Sequence, residues 1–219
     1  MGYNHSAGAD EVMCIDDAIL GAVATSANLT SLHLRRCAAV TDRGIAAVAK
    51  ASPGLCEIAL DEVPVTETAM THLATECPEL TYLSIRGCRR IKVEAPLAAI
   101  ARNSKLKHLD VADSIVGAAT MLALAACCPH SLTHLDVSLC RKIPSAALGI
   151  LLDACKNLET LHVYGCSQVS ADVVHGHRNS LVRICGEPTY LVDVRVASPT
   201  AHPVTAAPKE ELYPDVEVF

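Results

Sequence analysis

Aromatic side chains are scarce in this chain, which has no tryptophan, one phenylalanine and five tyrosines among 219 residues. Aliphatic side chains and alanine must therefore fill the core, and 51% of the residues are hydrophobic. No apolar run approaches the roughly 18 residues that a membrane-spanning helix needs. The net charge is −6, and no run of lysines and arginines with interleaved aromatic residues is present. We therefore expect a soluble protein with no transmembrane segment that does not bind nucleic acid.

What the chain does contain is one pattern, L-x-x-L-x-L-x-x-C, repeated along most of its length. Successive copies lie 25 or 26 residues apart, and a weaker seventh copy begins at Leu181. The six clear copies begin at Leu29, Leu55, Leu80, Leu106, Leu132 and Leu158. A fixed period in this range is typical of a solenoid, in which each repeat buries its apolar face against its neighbours.

Each copy predicts a short strand followed by a helix. In the first, Leu29, Leu32 and Leu34 point inward, Thr41 or Asp42 caps the helix, and Ser52-Pro53-Gly54 ends it. The predicted fold is therefore an α/β horseshoe with short parallel strands on the concave face and helices on the convex face. We predict an N-terminal extension at 1–13, a repeat array of about six full repeats plus partial end repeats at 14–186, and a proline-rich tail at 187–219. Residues 190–196 of the tail could form an edge strand.

The eleven cysteines also follow the repeat. The chain has no C-x-x-C motif and no signal-peptide hydrophobic segment, so we expect buried free thiols in the cytoplasm. Cysteines that recur at one repeat position form a ladder and do not converge on one ion, so we predict no metal and no cofactor. The ninth repeat position holds Cys37, Cys88, Cys140 and Cys166, and the end of the helices holds Cys77, Cys128 and Cys155.

The first six residues fit M-G-x-x-x-[ST], the pattern for N-myristoylation at Gly2. An acyl chain there would give a weak membrane link. The alternative is an N-terminus that is simply frayed.

Polar residues between the leucines should form columns on the concave face, about 4.8 Å apart from one strand to the next. His108, Asp110, His134 and Asp136 then cluster on two adjacent strands. That cluster allows a metal site or an acid–base pair, but parallel side chains favour a mixed polar surface. The sequence shows no set of nucleophile, base and orienting residue, so we predict that the protein is not an enzyme.

The same columns contain residue types that anchor protein interfaces, namely arginine, tyrosine and histidine. We predict that a protein partner binds there. The candidate partner-binding residues are His33, Arg35, Glu57, Asp61, Tyr82, Arg86, His108, Asp110, His134, Asp136, His162 and Tyr164.

The repeat pattern, the Val/Ile-Thr/Ser-Asp helix start and the Cys-Pro before the next leucine together resemble the cysteine-containing subfamily of leucine-rich repeats. The resemblance covers about residues 14 to 186. Members of this subfamily serve as substrate-recognition parts of F-box ubiquitin ligases, and similar repeats occur in axonemal assemblies such as the nexin-dynein regulatory complex.

The resemblance implies a non-enzymatic interaction module, and two interpretations stay open. In the first, the chain is a scaffold subunit of a large assembly such as an axonemal or cytoskeletal complex, located in the cytoplasm, the cytoskeleton or a cilium or flagellum. In the alternative, it is a substrate-recognition adaptor of an SCF-type ubiquitin ligase. An F-box would need a longer helical segment ahead of the repeats than residues 1–13 supply, which favours the scaffold.

Overall fold

A computed structural model describes residues 15–26, 28–103, 105–177, 182–186 and 193–194. Helices and strands alternate along these residues. The helices are α1 (Asp17–Ser26), α2 (Asp42–Ala51), α3 (Glu67–Glu76), α4 (Ala95–Asn103), α5 (Ala118–Cys127), α6 (Ser145–Ala154) and α7 (Ala171–Gly176). The strands are β1 (Ser31–Arg35), β2 (Glu57–Asp61), β3 (Tyr82–Ser84), β4 (His108–Asp110), β5 (His134–Asp136), β6 (Thr160–His162), β7 (Arg183–Cys185) and β8 (Asp193–Val194).

The eight strands form one open sheet in chain order. Strands β1 to β7 run parallel, and each pairs with the next in the register set by the repeat, so that Leu109 lies beside Leu135 and Leu135 beside Leu161. Strand β8 is antiparallel to β7 and falls inside the predicted segment 190–196. The predicted α/β leucine-rich repeat solenoid is confirmed.

The core lies between the sheet and the helices, and the repeated leucines fill it. Leu55, Leu80, Leu132 and Leu158 are fully buried at the first repeat position, and Leu135 is 1% exposed on its strand. Single repeats bury this surface only against their neighbours, so the core is continuous along the array.

Thiol groups contribute to the same stacking. The Sγ of Cys88 donates to the carbonyl of Leu60 in the preceding repeat at 2.8 Å, and Cys140 and Cys166 repeat this bond at 3.0 Å. Burial raises the pKa of Cys88 and of Cys166 to about 12, which keeps both thiols protonated. The ten cysteines in the described residues are free, as expected. Six of them are buried, whereas Cys37, Cys56 and Cys185 are only half-buried and Cys127 is exposed, so the prediction of buried thiols holds only in part.

A second ladder joins the starts of successive helices. Thr41, one of the two predicted caps, is the N-cap of α2, while Asp42 accepts hydrogen bonds from the N–H and Oγ1 of Thr66, the N-cap of α3, both at 2.7 Å. Asp17 does the same for Thr41. Burial acts to raise the pKa of Asp17, but the bonds from Thr41 outweigh it and the pKa lies below its usual value.

Later repeats continue this ladder with other side chains. Glu67 accepts from the N–H of Lys92, Glu94 accepts from the N–H of Gly117, and the Oγ of Ser145 accepts from the N–H of Ser170. The starts of α2, α3, α5 and α7 are therefore each held by a side chain from the preceding repeat.

The eighth position of each repeat turns the chain out of its strand. In all six clear repeats the residue there has a positive φ: Arg36, Glu62, Gly87, Asp113, Leu139 and Gly165. A side chain is strained in this left-handed region, so only the two glycines adopt it without cost.

Several predicted features fall on residues outside the described ranges. These are Gly2, the rest of the extension 1–13, and most of the tail 187–219, so the three segment boundaries stay predictions. Within the described ranges, no helix has both the length and the apolar character needed to cross a lipid bilayer.

We expect Asp42→Ala to lower the free energy of unfolding by about 1 to 2 kcal/mol, because it removes two hydrogen bonds from the start of α3. Urea denaturation measures the change. Glu159→Ala is the matched control, since it removes the same charge at an exposed position and should change stability by less than about 0.5 kcal/mol. Equal effects of the two variants would contradict the role of the ladder.

We expect Gly165→Ala to destabilise the protein by about 1 to 2 kcal/mol, because its φ is +69°. The added Cβ would also lie 2.6 Å from Cδ2 of Leu139. Gly21→Ala in α1 is the opposite case, because nothing lies within 4 Å of the new Cβ. That variant should stabilise the protein by about 0.5 to 1 kcal/mol, and thermal melts of both proteins test the pair.

Candidate partner-binding face

The strands present two different faces. In β1, Leu32 and Leu34 are buried against the helices, whereas His33 and Arg35 on alternate positions are exposed. We call the second side the polar sheet face, and it consists of the third, fifth and seventh residues of each repeat. The strand register places the predicted third- and fifth-position residues side by side, as with His108 beside His134 and Asp110 beside Asp136.

Four rings on this face form one continuous stack. The ring centroids of His33 and Tyr82 are 5.8 Å apart, those of Tyr82 and His108 are 4.5 Å apart, and those of His108 and His134 are 5.3 Å apart. The planes differ by 16° to 21°, which is a stacked arrangement. In the strand register, Ala59 of β2 lies beside His33 and Glu57 lies beside Tyr82. The contact between the two rings therefore crosses β2 diagonally, and the small side chain of Ala59 leaves room beside His33.

Next to the ring stack, Arg86 joins three strands. Its Nε donates to Asp110 at 2.9 Å and its Nη2 donates to Asp136 at 2.5 Å. Both carboxylates are largely buried, with 14% of each side chain exposed, whereas 47% of the Arg86 side chain is exposed. The guanidinium therefore neutralises one of two adjacent negative charges.

The crowding of charge shifts several pKa values. Burial and the neighbouring Asp136 raise the pKa of Asp110 to about 6, although Arg86 opposes the shift. Burial acts to lower the pKa of Arg86, but the carboxylates of Asp110 and Asp136 outweigh it and raise that pKa. Burial and the nearby His134 lower the pKa of His108, which favours the neutral form of its ring.

The remaining candidates lie on both sides of this centre. Glu57 accepts a hydrogen bond from Ser31 and lies 3.7 Å from Nε2 of His33, while Asp61 accepts from the hydroxyl of Ser84. At the ends of the face, Arg35 and His162 are exposed. Tyr164 is also exposed, with 43% of its surface accessible.

The polar sheet face thus brings all twelve candidates onto one surface, with a pre-ordered centre and exposed ends. Within the described ranges, no group of three or more histidine, cysteine, aspartate or glutamate side chains could hold a metal ion. The sequence did not reveal the Arg86 bridge or the ring stack. The one hint of the ring stack in the sequence was Ala59, because the other repeats have larger polar residues at this fifth repeat position.

Comparison with known proteins identifies the repeat directly. A family model described as a leucine-rich repeat matches residues 25–49. The F-box protein SKIP1 of Arabidopsis thaliana is 26% identical over 163 residues, which cover 65% of this chain and 53% of that protein. This chain therefore spans about half the length of that curated relative.

A solved structure has the same fold. A chain in the crystal structure of the yeast Rad7 and Elc1 complex superposes with a TM-score of 0.66 at 19% identity, covering 79% of this chain and 44% of that one. Internalin C2 of Listeria monocytogenes gives a TM-score of 0.48 at 14% identity, covering 82% and 78% of the two chains. The matching family model is one of a repeat and indicates no catalytic family.

Titration of Asp110 tests the electrostatics of the face. We expect its carboxyl carbon to titrate near pH 6 by NMR, and Asp136→Asn to lower this pKa because a neighbouring negative charge is removed. A folded-state pKa above the ordinary value of 3.8 means that the stability contributed by protonated Asp110 is lost as pH rises toward about 6.

The same titration has a consequence for stability. Between pH 3.8 and about pH 6, we expect the free energy of unfolding of the wild type to fall relative to that of Asp110→Asn, as measured by urea denaturation. A measured pKa at or below 3.8 would contradict the burial of this carboxyl group.

Proposed function

We propose that this leucine-rich repeat solenoid, a protein-interaction module by its fold and its relative, is the client-recognition part of a ubiquitin ligase. The observation that supports the ligase assignment is the likeness to an F-box protein over 65% of the chain. The sequence resemblance to the subfamily that serves F-box ligases points the same way. The alternative interpretation from the sequence thus becomes the preferred one.

The geometry supports the polar sheet face as the surface that holds the client. Tyrosine, arginine and histidine side chains are concentrated there, and these residue types carry much of the binding energy in protein interfaces. Ring stacking fixes Tyr82, and two ion pairs fix Arg86. Side chains that are already ordered lose little conformational entropy when a partner binds.

The exposed side chains at the two ends of the face provide further anchors, whose conformations can change to fit a client. Arg35 lies at the end of β1, and Tyr164 lies two residues after the end of β6, so a client in contact with both would cross six strands. At about 4.8 Å per strand, five spacings correspond to about 24 Å. That length matches an extended segment or one face of a small domain.

The scaffold interpretation concerns the same face but a different assembly. Neither the plant relative nor the yeast complex bears on an axonemal or cytoskeletal setting, so that setting stays a prediction. The cytoplasmic location and the acylation of Gly2 also stay predictions.

Affinity purification of the tagged full chain, followed by mass spectrometry at moderate and high salt, distinguishes the assemblies. We expect a cullin and its adaptor together with substoichiometric clients, and we expect the client level to rise when the protein is depleted. A fixed set of structural proteins whose levels do not respond to depletion would contradict the ligase proposal and favour the scaffold.

Point variants with matched controls test where on the protein the client binds. We expect Arg35→Glu and Tyr164→Ala to reduce client recovery by about tenfold each, because each removes an exposed anchor. The controls are Lys50→Glu and Ile150→Ala, which make comparable changes on the exposed side of α2 and α6. Equal losses in controls and test variants, with unchanged melting temperatures, would place the client elsewhere.

A further inference from the structure

A recess lies at the starts of α4, α5 and α6, and none of its lining residues belongs to the polar sheet face. Three residues separate Ser114 from α5, whereas six separate Cys88 from α4 and four separate Cys140 from α6. The shorter middle loop leaves a cavity of about 280 Å³ between its two neighbours. Its lining residues are Lys92, Glu94, Ile115, Val116, Gly117, Ala118, Lys142 and Pro144.

The walls of this recess are basic. Lys92 stands on one side and Lys142 on the other, and the same two loops carry Arg90 and Arg141, all four of them exposed. Within the described part of the chain, Arg90, Arg141 and Lys142 form no ion pair.

The one carboxylate among the lining residues, that of Glu94, is already hydrogen-bonded within the protein. Oε2 of Glu94 accepts hydrogen bonds from the N–H of Gly117 at 2.9 Å, the N–H of Thr120 at 3.1 Å and the Oγ1 of Thr120 at 3.0 Å. Its charge faces the start of α5. Asp113, on the middle loop, is paired with Arg89. The local excess of positive charge therefore stands out in a chain whose net charge is −6.

We propose that this recess, which we call the basic recess, is a second interaction surface and binds an acidic segment of a protein partner. A glutamate or aspartate side chain would enter between Lys92 and Lys142. The apolar floor formed by Ile115 and Ala118 accommodates the methylene groups of that side chain, and Arg90 and Arg141 attract neighbouring carboxylates. This inference does not depend on which assembly contains the chain.

The surroundings favour an acidic protein segment over a nucleic acid. Proteins that bind single strands stack bases on aromatic side chains beside a basic groove. The described tyrosines, Tyr82 and Tyr164, belong to the polar sheet face, and the recess has no aromatic lining. The carboxylates of Glu94 and Asp113 also interrupt the basic surface, which opposes a continuous phosphate backbone.

The test uses the full chain and a short fluorescein-labelled polyglutamate peptide, with binding followed by fluorescence anisotropy. We expect Lys92→Gln combined with Lys142→Gln to weaken binding by about tenfold. Lys50→Gln combined with Lys156→Gln is the matched control, because it removes two exposed lysines elsewhere and should leave binding unchanged. If both double variants weakened binding equally, the peptide would be attracted by the overall charge and not held in the recess, which would overturn the proposal.

Two further measurements distinguish binding inside the recess from attraction by its charge alone. Ile115→Trp fills the cavity while keeping all four cations, so it should weaken peptide binding without lowering the melting temperature. Unchanged binding by this variant would overturn the proposal. Tighter binding of single-stranded oligodeoxythymidine than of polyglutamate would also overturn it and would indicate a nucleic-acid partner.

Discussion

Stacking of one repeat on the next is the constraint on which the whole structure depends. A single strand and helix of this size cannot bury its leucines alone, so each repeat needs a neighbour in register. Hydrogen bonds between parallel strands, thiol bonds from Cys88 to the preceding repeat and carboxylate caps such as Asp42 on Thr66 all act across that junction. The interactions are individually modest, but each recurs at several junctions along the array.

The same register creates the functional surface. Because the repeats superpose at nearly constant spacing, polar residues of one repeat position must lie side by side on neighbouring strands. Rings then stack, as His108 does on His134, and charges of one sign crowd, as Asp110 and Asp136 do. Arg86 relieves that crowding by reaching over two strands. The ordered centre of the polar sheet face is thus a consequence of the architecture.

Irregularities in the repeat have a different consequence. A shorter loop before α5 interrupts the regular rim of the solenoid and opens the basic recess between longer, basic loops. The polar sheet face and the basic recess share no residue. A module with two such surfaces can hold two partners, or two parts of one partner, at once, which is what an adaptor or a scaffold requires.

The sequence by itself determined the fold class, the core and the polar columns. Leucines at a nearly fixed period leave one arrangement that buries them all, and the alternation within β1 then decides which side chains face solvent. Only the tertiary structure decided how the polar side chains pair.

Thr41 and Asp42 were both reasonable caps for α2, but Asp42 instead binds Thr66 of the next repeat, 24 residues away. Arg86 likewise reaches Asp136 across 50 residues, and His33 meets Tyr82 diagonally across β2. Such pairings depend on side-chain conformations and distances between strands, which a repeat pattern leaves free.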